Sequence, residues 1–180
     1  MSKGIYPWQG KWPTIAADAW IAPGARIIGD VQMGAGSSVW FNSVVRADVN
    51  IVRIGERTNI QDGSVVHVTN EQFGTHIGSD ILIGHTCIIH GCELQDGCFI
   101  GMGAIVMDGC VVESGGMVAA GAMLTPGKIV RKGELWGGRP AKLLRMLGDI
   151  EKEMLVRGPR GYAANAQKAR AEYAALGIEE

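Results

Sequence analysis

Three of the four histidines, His67, His85 and His90, lie in a stretch that is otherwise aliphatic and glycine-rich, with few charges beside them. Imidazole is the commonest metal-binding side chain, and three imidazoles around one ion leave a coordination position open for reactive water. His67 directly follows Val66, His90 directly follows Ile89, and His85 comes two residues after Ile83. Convergence of the three depends on the elements that carry them.

Leu94, Ile100, Val106, Val112, Val118, Leu124, Val130 and Trp136 are each six residues apart. Gly91, Gly97, Gly103, Gly109, Gly115, Gly121, Gly127 and Gly133 form a second series at that spacing, so each apolar residue from Leu94 to Val130 is followed three positions later by one suited to a corner. Upstream the series runs Ile15, Ile21, Ile27, Met33, Val39, Val45 and Ile51. It re-phases to Ile54, Ile60 and Val66, and again to Ile77, Ile83 and Ile89, so the repeat fills most of residues 15–136. Six residues are too few for a helical repeat, whereas short flat faces joined by glycine corners bury one side chain each in a stacked core. The pattern resembles that of hexapeptide-repeat proteins, in which three faces close one triangular coil. That resemblance implies an all-β core, a left-handed parallel β-helix with about eighteen residues per coil and coils stacked roughly 4.8 Å apart.

The segment from Val68 to His76 is too long for one hexapeptide and must loop out, so Ile77, Ile83 and Ile89 mark the next three faces and Ile89 returns to the face of Val66. His67 and His90 therefore stack one coil apart, about 5 Å, where two imidazoles can grip one ion through bonds near 2.0 Å. His85 sits one face earlier and points elsewhere. One chain supplies two ligands and a neighbouring copy supplies the third, which predicts a homotrimer with three interfacial sites. Three histidines with an open position make the ligand set of a catalytic zinc, whose water is acidified toward neutrality. His76 fits no ligand slot and reads as structural.

The 180 residues make a single domain: 1–139 as β-helix with a short N-terminal lead-in, and 140–180 as helices packing on it. Behind Pro140, Leu143, Leu144, Leu147, Ile150, Met154 and Leu155 recur at helical spacing; Gly158, Pro159 and Gly161 interrupt, and Tyr162–Leu176 reads as a second helix. Tyr162 is the one residue there placed to reach a site. A net charge of -1 with 17 scattered Lys and Arg residues gives no basic stripe for nucleic acid. The amino terminus lacks a signal-peptide core and no run of 18 apolar residues occurs, so the expected setting is cytoplasmic with no membrane partner. Cys87, Cys92, Cys98 and Cys110 form no CxxC pair and read as reduced core residues.

Arg46-x-Asp48, Asn59-x-Gln61-Asp62, His67, the run Ile83-Gly84-His85 and His90-Gly91-Cys92 together resemble the γ-class carbonic anhydrases, over essentially the whole chain. The resemblance implies reversible hydration of carbon dioxide to bicarbonate by a metal-bound hydroxide at subunit interfaces. It implies Zn2+, or Fe2+ or Co2+, on His67, His85 and His90, and Gln61 orienting the solvent with Asn59 assisting. Arg46 and Asp48 would pair across the subunit interface, with Asp62 a second acceptor for the guanidinium. Val49 stands where fast members of the family carry a glutamate, and the loop VTNEQFGTH holds Glu71 as its sole acid, which makes Glu71 the candidate proton carrier and slow turnover the expectation.

Two other functions fit the same repeat. A hexapeptide-repeat acyltransferase or thioesterase acting on coenzyme A thioesters would use one histidine as base or the same metal site, and a catalytically silent metal-binding trimer would keep the ligands without turnover. An acyltransferase has no use for two stacked histidines and a third to meet them.

Overall fold

Six-residue steps leave strands of two or three residues, too short to stand alone, so their backbone groups find partners only in the coils above and below. The computed structural model, which describes residues 4–178, is a left-handed parallel β-helix of about seven turns with one C-terminal helix. Residues 1–3 and 179–180 of the two expected segments lie outside the described residues.

Three inward ladders run through the stack. Ile27, Val45, Val66, Ile89, Val106 and Leu124 pair in register on one face, here the histidine face. Met33, Ile54, Ile77, Leu94, Val112 and Val130 form the next, the open face. Ile21, Val39, Ile60, Ile83, Ile100, Val118 and Trp136 form the third, the helix face. Nearly all these side chains are fully buried, each stabilising the fold by roughly 1.5–3 kcal/mol. The eight glycines of the sequence repeat all take positive φ at the corners, between 54° and 78°.

The phase breaks fall at one corner. Between the histidine and open faces, successive core residues are nine apart (45 to 54), then eleven (66 to 77), then five (89 to 94). The first break is a bulge in the strand Val44–Ile54, which turns the chain so that Val52 is buried and Ile51, expected in the ladder, is not. The second is the loop after His67, and the third is the tight corner at Gly91.

What each face shows outward differs. The helix face carries Trp20, Ser38, Asn59, Leu82, Phe99, Met117 and Leu135, over which the C-terminal helix lies. The open face is polar over its earlier coils, where His76 stands exposed between Arg53 and Glu93, and apolar beyond them at Val111 and Ile129. The histidine face shows Val44, Val65, Ile88, Ile105 and Met123 in one apolar stripe beside His67 and His90.

The carboxy-terminal segment corrects the sequence expectation. Lys142–Met146 is not helical but an antiparallel strand on Glu134–Gly137, where it pairs the otherwise open edge of the last coil. One helix, Asp149–Ala175, then runs unbroken through Pro159. Its start is set by Glu151, whose Oε2 accepts from the Gly148 N–H at 2.7 Å. An internal proline removes one hydrogen bond, yet Leu155 and Pro159 are buried and Gly158 lies so close that a Cβ there would stand 3.2 Å from Leu82. Packing on the sheet outweighs the local preference to break.

Candidate metal centre

The strands Val65–His67 and Ile88–His90 pair in parallel with His67 opposite His90, as the face count requires. The inward neighbours Val66 and Ile89 are fully buried, which turns both imidazoles outward at the corner. Their ring centroids are 5.0 Å apart, and His67 Nδ1 faces His90 Nε2 at 3.0 Å.

Each ring spends its other nitrogen on a carboxylate. His67 Nε2 donates to Asp48 Oδ1 at 3.0 Å, and His90 Nδ1 donates to Asp108 Oδ1 at 2.6 Å. Carboxylates only accept, so in the neutral rings the protons sit on those nitrogens and the two facing nitrogens both present lone pairs. Two lone pairs at that distance repel unless a cation lies between them. Two nitrogens bound to one ion at 2.0–2.1 Å with a tetrahedral angle would be about 3.3 Å apart, close to the observed separation. The donor set therefore fits a divalent metal.

His85 follows the same rule on another face. Its Nδ1 donates to Asp62 Oδ2 at 2.8 Å, and the ring is half-exposed. Among the described residues, no three His, Cys, Asp or Glu side chains of one chain gather closely enough to hold an ion. A carboxylate behind each histidine fixes tautomer and ring orientation, the usual support of a metal-ligating imidazole.

Burial pulls the pKa of His67 below its ordinary value, against the opposing hydrogen bond to Asp48. Burial pushes Asp48 and Asp108 upward, but for Asp48 the hydrogen bonds of His67 and Arg46, and for Asp108 those of His90 and Thr69, outweigh it and hold both below the usual carboxylate range.

The other expected residues are dispersed. Arg46 pairs with Asp48 within the chain, and Asp62 accepts from His85. Gln61 is 3% exposed, and among the described residues its amide forms no side-chain hydrogen bond. Asn59 shares its strand face, but its Nδ2 donates to Ser38 Oγ at 2.9 Å, while its buried Oδ1 has no partner among the described residues. Glu71 sits at the loop tip with φ of 56° and lines a cleft of about 450 Å³ together with Asp48, Asn50 and Trp8. Tyr162 packs edge-on against Trp40 at 5.8 Å in the helix seam. Sequence reasoning missed Asp108 and Thr69. The first was findable: Asp108 lies 18 residues after His90, one regular coil.

No protein-family model matches the chain. Gamma carbonic anhydrase 1, mitochondrial, of Arabidopsis thaliana is 46% identical over 169 residues, 91% of this chain and 62% of that protein. The chain spans less than two thirds of the length of the Arabidopsis relatives it matches. A carbonic anhydrase of Geobacillus kaustophilus is 42% identical over 93% of this chain and 91% of its own. Among solved structures, a hexapeptide transferase family protein from Anaplasma phagocytophilum superposes with a TM-score of 0.89 at 47% identity, covering 92% of this chain and 98% of its own.

Proposed function

The chain belongs to the gamma carbonic anhydrase family, and from that membership we propose that it reversibly hydrates carbon dioxide to bicarbonate at a metal held by His67 and His90 of one copy and His85 of a neighbour. The observation that carries the proposal is the pair of lone-pair nitrogens facing each other at 3.0 Å, each ring locked from behind by an aspartate. A divalent ion held by these three rings would supply a water acidified toward neutrality as the nucleophile. Three neutral imidazoles suit zinc, iron or cobalt alike.

The chain's own residues then divide the work. Asp48, Asp108 and Asp62 hold the three rings in their ligating tautomer. The amide of Gln61, a residue only 3% exposed, orients solvent and substrate by donating and accepting. Glu71, in the cleft that reaches Asp48, carries the released proton outward. Trimer formation is supported by the outward stripe of the histidine face: Val65 and Ile88 are 40% and 41% exposed and stand beside the ligands, a surface that a second copy would cover. Among the described residues no helix is long and apolar enough to cross a membrane, and four free buried thiols fit a reducing cytoplasm.

The name of the Anaplasma structure points to group transfer on the same fold. That chemistry needs one histidine as base and gives no reason for two facing lone pairs with an aspartate behind each. Stopped-flow carbon dioxide hydration, on protein of measured metal content, with His85→Ala as the blank, tests the proposal. Metal-dependent hydration that vanishes in the variant is the expected outcome. Full metal occupancy without hydration would defeat it and turn attention to thioesters or a silent metal-binding trimer.

A further inference from the structure

Resting on the reading of His67 and His90 as metal ligands, we propose that Asp108 and Thr69 are a positioning pair that fixes the ring and tautomer of His90 and so sets the affinity of the site for its metal. Both oxygens of Asp108 are committed. Oδ1 accepts from His90 Nδ1 at 2.6 Å, and Oδ2 accepts from Thr69 Oγ1 at 2.8 Å. With an acceptor-only group behind it, His90 carries its proton on Nδ1 and offers the Nε2 lone pair toward His67.

Thr69 comes from a different part of the chain, the loop inserted after His67. Its backbone is held from two sides, the N–H donating to the Phe73 carbonyl at 2.9 Å and the carbonyl accepting from Asn50 Nδ2 at 3.1 Å. The loop is therefore anchored, and through one hydroxyl it holds the carboxylate of a later coil. Gly91 supplies the room. It follows His90 at φ of 54°, and a Cβ there would stand 2.4 Å from Asp108 Oδ1 and 2.9 Å from Phe73 Cβ. A side chain at that position would displace the carboxylate from His90, which accounts for a glycine immediately after a ligand.

The test measures Zn2+ affinity of the full chain, in the assembly as purified, by competition with a chromophoric chelator. Asp108→Asn is expected to weaken binding about 10- to 100-fold, the usual effect of losing such a partner. Thr69→Val is expected to weaken it roughly threefold to tenfold, a part of the worth of one hydrogen bond to a carboxylate, because Thr69 reaches the ligand only through Asp108. Thr69→Ser keeps the hydroxyl and is expected to bind like the native chain, an outcome that a merely structural role for the methyl group would not give. If Asp108→Asn does not fold, the two Thr69 variants carry the test. Native-like affinity in Asp108→Asn or Thr69→Val, or Thr69→Ser as weak as Thr69→Val, would overturn the proposal while leaving the ligands in place. Failure of the native chain to take up Zn2+ would sink the ligand assignment and this proposal together.

Discussion

Two inactive variants should restore each other if the site draws its ligands from two copies. His85→Ala keeps the facing pair of His67 and His90 and loses the third ligand, while His67→Ala keeps His85, backed by Asp62 on another face, and loses the pair. In a trimer of random composition, half of the chains offer an intact pair and half of the neighbours facing them offer an intact His85. The product, one half times one half, leaves about a quarter of the sites complete. Trimers that hold both variants can be isolated through two different affinity tags, and each then contains one complete site in about three, whichever variant is in excess. Coexpression, double-tag purification and measurement of both metal content and carbon dioxide hydration provide the assay, with each variant expressed alone as the baseline. Recovery to about a third of the native value per chain is expected. Doubly tagged trimers with no more metal or activity than the single variants, beside an active native protein, would refute an interfacial site, as would near-native activity in either variant alone.

The thiols give a second check: burial pushes Cys87 up to about 11 and raises Cys92, Cys98 and Cys110 as well, so a disulfide reagent at pH 8 should label none of the four in the folded protein and all four in denaturant. Rapid labelling of the native protein would contradict the core placement. Truncating Ile100, fully buried in the helix-face ladder, to alanine should cost about 2–5 kcal/mol in chemical denaturation, and a loss under about 1 kcal/mol would show that the ladder is not close-packed. Acid should destabilise through identifiable carboxylates. Two hydrogen bonds from Arg57 hold Asp80 below its ordinary range, and Lys11 with Arg53 do so for Asp30 against the upward push of burial. Lowered pKa values mean stability that is present above about pH 4 and lost as pH falls through the folded values. The double variant Asp30→Asn with Asp80→Asn should therefore show a shallower acid loss of melting temperature, and an unchanged profile would assign that loss elsewhere.

The repeat was readable because one inward side chain per face must recur wherever coils stack, and Leu94 to Val130 do so without interruption. His67 and His90 could be paired for the same reason, once the loop after His67 was counted out. The breaks in phase carried more information than their irregularity suggested: the bulge after Val45 carries Asp48 to His67, the loop after Val66 carries Thr69 and Glu71, and the short corner after Ile89 seats Gly91 below Asp108. Asp108 itself looks like any polar corner residue until the register places it one coil beyond His90. Lys142–Met146 misled because its leucines are helically spaced, while the unpaired edge of the last coil offered a strand partner that no local pattern records. Pro159 misled because helix breakers are judged locally, and its burial, beside a Gly158 that lies close on Leu82, is a tertiary matter.

Anomalous diffraction at the metal edge, from crystals of the metal-loaded protein, tests the central assignment most directly. One peak per chain is expected, bonded to His67 Nδ1 and His90 Nε2 and to His85 Nε2 of the adjacent copy, with Asp48, Asp108 and Asp62 still behind the three rings. A peak held by one chain alone, or one away from the facing nitrogens, would contradict it.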